Sequence, residues 1–190
     1  MVITERLAQL RREMAGHGMD GYVVVTDDFH GSEYVGDFFK ARAYLSGFTG
    51  SAGTLVVLPE QAALWTDGRY FLQAAEQLTG STIDLMRMGQ PGVPTIGAFL
   101  AEHLPEGGVL GFDGRTVSSS FAHALETALA EKHIRFHGSE DLVDAVWPDR
   151  PALSDRPVWE LTGCGMSREE KLAKLREKMA AQNAAYLLLT

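Results

Sequence analysis

The sequence predicts an α/β protein in which helices flank a mixed β-sheet. Helical and strand-like patterns alternate along residues 1–147, which is the order expected when helices cover the faces of a sheet. Two short apolar segments, residues 54–58 and 62–66, are separated by Pro59-Glu60-Gln61 and predict an antiparallel hairpin. A hairpin inside an alternating order makes the sheet mixed rather than wholly parallel.

The first element is predicted to be an amphipathic helix that begins at Thr4, its expected N-cap, and ends near Gly16 and Gly18. Its apolar stripe recurs at the helical spacing i, i+3, i+7. The stripe consists of Leu7, Leu10 and Met14. The next segment, Tyr22–Val25, is a run of β-branched residues and predicts a buried strand.

The remaining elements follow in order up to residue 137. Residues 28–48 have a mixed pattern, in which we expect one short helix after Ser32. After the hairpin, Asp67 is expected to cap a helix over residues 68–78, because aspartate is a favoured N-cap. The later elements are predicted as strand 83–88, helix 95–103, strand 109–112, helix 119–132 and strand 134–137.

A repeat indicates a second module. EKLAKLR at 170–176 matches ERLAQLR at 5–11, 165 positions earlier, and YLLLT at 186–190 matches YVVVT at 22–26, 164 positions earlier. A helix-then-strand opening that recurs at domain spacing predicts a second copy of the same fold. The alternative is that two leucine-rich basic helices are alike by composition alone.

Three domain regions follow from this repeat and from the prolines between its copies. Pro148, Pro151 and Pro157 predict a stiff connector. We therefore expect a first domain over 1–147, a proline-rich linker over 148–165, and the first helix and strand of a truncated second domain over 166–190. The sequence is then expected to be a fragment of a longer protein.

Composition excludes several classes of protein. The chain is 45% apolar and 22% charged with a net charge of −8, and its one cysteine, Cys164, excludes an internal disulfide and a cysteine-rich zinc site. The acidic balance argues against a nucleic-acid partner. No apolar run approaches the roughly 20 residues of a membrane span. We therefore expect a cytoplasmic protein with no nucleic-acid and no membrane partner.

No catalytic or metal site is visible in the chain itself. Gly47, Gly50 and Gly53 lack the Lys-Ser/Thr that follows in a phosphate-binding loop, so they predict tight turns and close backbone approach. An independent hydrolase using Ser51 or His30 is the weakest interpretation, because Thr49 replaces the first glycine of G-x-S-x-G. The sequence thus predicts no catalytic residue, metal ligand or cofactor in these 190 residues.

Three segments together resemble a known family. They are HGSEY at 30–34, YLSGFTGSAGT at 44–54 and WTDGRYFLQAA at 65–75. In this order they look like the N-terminal, creatinase-type domain of the three-domain Xaa-Pro aminopeptidases (aminopeptidase P), within the creatinase, prolidase and aminopeptidase P group. DLVDAVWPDRP at 141–151 also resembles the exit from that domain.

The resemblance implies a function for a longer parent protein. Such enzymes release the N-terminal residue of peptides with proline at position two, using two divalent metal ions, usually manganese, in a pita-bread catalytic domain. The resemblance therefore implies three partners. They are the missing catalytic domain of the same chain, proline-containing peptides, and a second copy in a homodimer. This 190-residue chain is expected to be inactive alone.

The same resemblance implies that this domain limits access to the catalytic cleft. Candidate rim residues are Arg69, Tyr70, His30, Glu33 and Tyr34, with Arg69 foremost because its guanidinium fork suits a peptide carboxylate. A structural role competes at each of them, and Arg69 in particular has local acidic neighbours with which it can pair. The alternative function is a non-enzymatic binding or assembly module, as in pita-bread relatives that have lost catalysis.

Overall fold

The computed structural model describes residues 2–157, 159–161 and 163–188, and contacts divide the chain into two units, Met1–Leu153 and Ser154–Thr190. The first unit contains one six-stranded sheet. Its strands are β1 (Gly21–Val24), β2 (Thr54–Val57), β3 (Ala62–Thr66), β4 (Ile83–Arg87), β5 (Val109–Phe112) and β6 (Arg135–His137). The sheet order is β4-β3-β2-β1-β5-β6.

Helices connect these strands. Short 3-10 helices span Asp37–Phe39 and Ala130–Lys132. The α-helices of the first unit are α1 (Ile3–Gly16), α2 (Ala41–Ser46), α3 (Phe71–Gln77), α4 (Ile96–His103), α5 (Ser119–Leu129) and α6 (Leu142–Val146). In the second unit, α7 spans Arg168–Ala181. With 14 residues each, α1 and α7 are the longest, and no helix of the described residues is long and apolar enough to cross a membrane.

The sheet is mixed, as predicted. β2 runs antiparallel to both of its neighbours, β1 and β3, whereas the other neighbouring strands are parallel. The carboxyl ends of five strands therefore lie at one edge, together with the amino end of β2. We call this edge the carboxyl edge.

Helices cover both faces of the sheet. Because side chains alternate along a strand, neighbouring residues of one strand pack in different cores. Tyr22 and Val24 of β1 pack in one core with residues of α1, α2, α3 and α6, whereas Val23 packs in the other with residues of α4 and α5. In that second core, Trp65 lies edge-to-face against Phe99 with the ring centroids 5.1 Å apart. Both faces are buried, which explains the nearly continuous apolar runs of the strands.

Two predicted helix caps are wrong. Residue 4 lies inside α1, whose N-cap is Val2, and Glu5 completes the cap by accepting from the Val2 backbone N–H at 3.2 Å. Asp67 does not cap α3, which begins at Phe71 after Tyr70. The expected helix after Ser32 is a 3-10 turn followed by α2.

The second unit contains a helix with a complete capping box. Ser167 Oγ accepts from the Glu170 backbone N–H at 3.2 Å, and Glu170 Oε2 accepts from the Ser167 N–H at 2.7 Å. A strand was expected over residues 186–190. Residues 186–188 are not in a strand, and residues 189 and 190 lie outside the described residues.

The two matching helices, α1 and α7, end in the same way. After α1, Gly18 has a positive φ of 65° and the Met19 N–H donates to the Met14 carbonyl; after α7, Asn183 has a φ of 52° and the Ala184 N–H donates to the Met179 carbonyl. Their apolar stripes differ in burial: Leu7 is completely buried, whereas its counterpart Leu172 is 40% exposed.

Deleting residues 166–190 is expected to leave the melting temperature of the first unit within about 2 °C of its original value, since surface changes outside a core shift stability little. All six strands and every buried apolar residue of the described chain lie between Leu7 and Val146. Thermal unfolding of the shortened and 190-residue chains, followed by circular dichroism, tests this. A loss several times larger would place the deleted residues in the first core.

Candidate functional site

All five predicted rim residues lie on segments that meet at the carboxyl edge. The edge receives the loop between β1 and α2, residues 25–40, which we call the rim loop. It also receives the glycine-rich turn over residues 47–53 before β2, and residues 67–70 after β3. Because β2 is antiparallel, its amino end and the carboxyl ends of β1 and β3 bring these three segments together.

Arg69 is held by a carboxylate two residues before it. Its Nε and Nη2 donate to Oδ1 and Oδ2 of Asp67, each at 2.9 Å, and its Nη1 lies 3.8 Å from Glu33 Oε1. This explains why Asp67 does not cap α3: Oδ1 also accepts from the Arg69 backbone N–H at 3.0 Å. The hydrogen bonds from Arg69 lower the pKa of Asp67. The Arg69 side chain is nevertheless 61% exposed.

Tyr70 and Glu33 meet at Ser51. The Ser51 hydroxyl lies 2.7 Å from the Tyr70 hydroxyl and 3.5 Å from Glu33 Oε1, while the Tyr70 ring packs edge-to-face on Phe48. In the described chain, the side-chain partners of Ser51 are thus a phenol and a carboxylate. His30 is exposed, and its backbone N–H donates to Asp28 Oδ1 at 2.8 Å.

Arg42 supports the glycine-rich turn from below. It is only 3% exposed; its Nε donates to Thr26 Oγ1 at 2.9 Å, and its two terminal nitrogens donate to the carbonyls of Phe48 and Gly50. Burial lowers the pKa of Arg42 to about 10, so the side chain is charged at neutral pH. Sequence reasoning missed this residue, because an arginine in a short mixed segment carries no sign of burial.

The glycines of the turn allow a left-handed backbone and close packing, as their pattern predicts. Gly47 has a φ of 76° and ends α2 in the left-handed conformation. Gly50 and Gly53 lie against the Phe48 ring, where an added Cβ would come within 2.3 Å and 3.2 Å of ring carbons.

A cavity of about 240 Å³ opens between the rim loop and the glycine-rich turn. Glu33 and Tyr34 line it from the rim loop, and Thr49 and Ser51 line it from the turn. Tyr34 is 81% exposed, so much of its ring is free for contact. Of the rim candidates, Glu33 and Tyr34 line this cavity, whereas Arg69, Tyr70 and His30 do not. Arg69 and Tyr70 lie beside it, because Arg69 faces Glu33 and the Tyr70 hydroxyl meets Ser51.

Carboxylates at this edge do not form a metal centre. Within the described residues, no group of three or more His, Cys, Asp and Glu side chains is placed to hold a metal ion. Asp67 and Glu33 both face the Arg69 guanidinium instead. The residues present do not fit a two-metal site, and we derive no step through one.

Residues 6–146 match the family model of the Creatinase/Prolidase N-terminal domain, and the chain belongs to this family. It is 40% identical to Aminopeptidase P2 of Arabidopsis thaliana over all of this chain and 28% of that protein. It is also 40% identical to a probable Xaa-Pro aminopeptidase P of Laccaria bicolor, over 98% of this chain and 30% of that protein. The chain thus spans about three tenths of the length of these relatives.

Solved structures agree with this assignment. The X-prolyl aminopeptidase of Caenorhabditis elegans, described as a cytosolic enzyme with a di-nuclear active site, superposes with a TM-score of 0.83 at 35% identity, over 96% of this chain and 32% of that one. The N-terminal domain of the peptidase PepQ of Mycobacterium tuberculosis superposes at 0.54 and 29% identity, over 75% of this chain and 98% of that one. The resemblance and the fold class inferred from sequence are therefore confirmed.

Proposed function

We propose that this chain is the N-terminal part of a metal-dependent Xaa-Pro aminopeptidase, in which it shapes access to the catalytic site and contributes no catalytic residue. The observation that carries the proposal is the 40% identity to Aminopeptidase P2, which extends over the whole chain but only 28% of that protein. The exposed cluster of Arg69, Glu33 and Tyr34 supports a role at the rim.

The proposed parent enzyme acts in the cytoplasm on peptides that have proline in the second position. Its catalytic domain lies further along the same chain and holds two divalent metal ions, which we take to be manganese, and the parent forms a homodimer. Two divalent ions bound in that catalytic domain would activate the attacking nucleophile and stabilise developing charge. The C. elegans relative, described as cytosolic and di-nuclear, supports this assignment.

We also propose that residues 148–165 are a linker and that a second module of the same fold begins near Met166. The matching ends of α1 and α7 support this proposal. The partly exposed stripe of Leu172, Leu175 and Met179 would then be covered by the sheet of the second module. In the 190-residue chain alone, we expect this apolar stripe to pack against another surface, either that of its own first unit or that of another copy.

The 190-residue chain alone is expected to release no N-terminal residue from an Xaa-Pro peptide, with or without added Mn²⁺. A chain extended through the downstream reading frame is expected to cleave the same peptide. Release of the free amino acid, measured by mass spectrometry, compares the two. Lack of cleavage by the extended chain, with no metal-ligand residues in it, would favour the binding or assembly module instead. Activity of the short chain that a substitution within it abolishes would overturn the proposal.

In the extended enzyme, Arg69→Ala is expected to raise KM about threefold to tenfold for a peptide with a free C-terminal carboxylate, with kcat unchanged, since a charge-assisted hydrogen bond at an exposed site contributes about 1 kcal/mol. One edge of the Arg69 guanidinium, Nε and Nη2, is bound to Asp67. Its Nη1 faces Glu33 and solvent and can still donate to a substrate.

The same peptide with an amidated C-terminus is the matched control for this variant, because it lacks the charge that Arg69 would meet. Its KM should be the same for both enzymes. An equal rise in KM for the amidated peptide would assign Arg69 a purely structural role.

A further inference from the structure

Six side chains form a closed circuit that holds the rim loop against the body of the first unit. We call this circuit the clasp. Its members are Phe29, Phe38, Phe39, Arg115, Asp141 and Arg150. Three of them belong to the rim loop, and the other three come from the segment after β5, the start of α6 and the chain beyond α6.

The charged half of the clasp converges on one oxygen. Asp141 Oδ2 accepts from Arg150 Nη1 at 2.7 Å and from Arg115 Nη2 at 3.1 Å, while its Oδ1 accepts from the Val143 N–H in the first turn of α6. The side chains of Asp141 and Arg150 are 11% and 7% exposed. An ion pair with this little exposure is a firm anchor. If either partner moved away, the other would keep a buried charge without a partner, which is unfavourable.

The anchor is itself fixed by the core. The buried Tyr22 hydroxyl donates to the Glu140 carbonyl at 2.7 Å and accepts from the Leu142 N–H at 3.1 Å. These bonds hold the chain on both sides of Asp141. The start of α6 therefore cannot shift without breaking bonds to β1.

The aromatic half of the clasp grips the rim loop at two points. The Arg150 guanidinium lies 4.0 Å from the centre of the Phe38 ring and donates from Nε to the Phe38 carbonyl at 2.9 Å. The Arg115 guanidinium lies 5.1 Å from the centre of the Phe29 ring. Phe39 packs edge-to-face against both Phe38 and Phe29, and so closes the circuit.

The gripped residues bracket the rim candidates. Glu33 and Tyr34 lie between Phe29 and Phe38 in a loop with no regular secondary structure before residue 37. Few backbone hydrogen bonds hold this part of the loop, so its order depends on side-chain contacts at its two ends. Because the clasp grips both ends, it sets where Glu33 meets Ser51 and Arg69.

We propose that Arg115 and Arg150 are positioning residues for the rim loop, which they fasten through Phe29, Phe38 and the shared carboxylate of Asp141. Only the consequence for peptide access rests on the proposed function. The fastening itself is a property of this domain and can be measured in the 190-residue chain.

Hydrogen exchange of Arg115→Ala in the 190-residue chain tests the proposal. Arg115 is 54% exposed, and its loss removes the Phe29 contact, one of the two cations on Asp141 and the two hydrogen bonds that Arg115 donates to the Asp113 carboxylate. Amide exchange at His30, Ser32 and Phe39 is expected to become about fivefold faster, because the variant loses a cation–π contact and the ion pairs of a half-exposed arginine. Exchange in the six strands should not change.

Three further variants keep the test decisive. Phe29→Ala breaks the clasp from the loop side and should accelerate the same amides, whereas Arg87→Ala removes an exposed arginine over Phe71, 5.9 Å away, and should not. Arg115→Lys retains the charge and should restore part of the protection. Unchanged rim-loop exchange in Arg115→Ala, or an equal acceleration in every strand, would overturn the proposal.

In the extended enzyme, Arg115→Ala should also raise the KM of a peptide substrate with kcat unchanged. Faster rim-loop exchange without any change in KM would leave the clasp established and would overturn the role of the rim in substrate access. The two measurements therefore separate a failure of this proposal from a failure of the proposed function.

Discussion

Arg42→Met is expected to lower the free energy of unfolding by about 3 kcal/mol, because it leaves three acceptors unpaired and each buried unpaired acceptor costs at least about 1 kcal/mol. Methionine has a similar length and fills most of the space, so little of this loss comes from a cavity. The loss comes from the acceptors on Thr26, Phe48 and Gly50, which keep their places and lose their donor.

The measurement is thermal or urea unfolding of the 190-residue chain, where a loss of this size corresponds to roughly 6–12 °C in melting temperature. Arg69→Met is the matched control, because it makes the same change at a side chain that is 61% exposed. It should stay within about 0.5 kcal/mol of the original chain, as surface substitutions do. Equal melting of both variants would show that Arg42 does not support the turn.

Gly50→Ala is expected to lower the free energy of unfolding by about 2 kcal/mol, the usual cost of forcing an extra methyl group into a packed site. Its Cβ would lie 2.3 Å from Phe48 Cζ and 2.8 Å from Tyr70 Cδ1, and Phe48 is completely buried. The phenol of Tyr70 must then move, which also breaks its hydrogen bond to Ser51.

Gly16→Ala is the control for this substitution. Neither glycine has a positive φ, and nothing lies within 4 Å of the Cβ that Gly16 would gain. Since alanine favours helix over glycine by up to about 1 kcal/mol, the control should melt at the same temperature or higher. A Gly50→Ala chain as stable as the control would mean that the turn has room to relax.

Much of the architecture follows from local patterns. The stripe of Leu7, Leu10 and Met14 predicts α1, and the two apolar runs around Pro59-Glu60-Gln61 predict the hairpin of β2 and β3. Both predictions succeed because spacing along the chain directly determines which side chains share a face. The two predicted caps fail for different reasons. The first helix begins before Thr4, with Glu5 accepting from the Val2 N–H, whereas the Asp67 carboxylate accepts from Arg69 instead of capping α3.

The candidate site was only partly visible from sequence. The DGRYF segment and the HGSEY segment drew attention to Arg69, Tyr70, Glu33 and Tyr34 through their resemblance to a family. The structure places Glu33 and Tyr34 on one cavity, with Arg69 against Glu33 and Tyr70 against Ser51 beside it. Nothing in the local sequence indicated that Arg42 is buried beneath them. The clasp was equally invisible, because its members are spread from Phe29 to Arg150.

By itself, the sequence determined the class of fold, the order of the main elements up to residue 137, the similarity of α7 to the first helix, and the family to which the chain belongs. These depend on periodicity and on motifs, which are properties of neighbouring residues. Only the tertiary structure decided that Arg42 holds the glycine-rich turn and that Asp141 joins two arginines. A charged side chain can satisfy its hydrogen bonds with any partner within reach, and which partners are within reach depends on how the whole sheet is assembled.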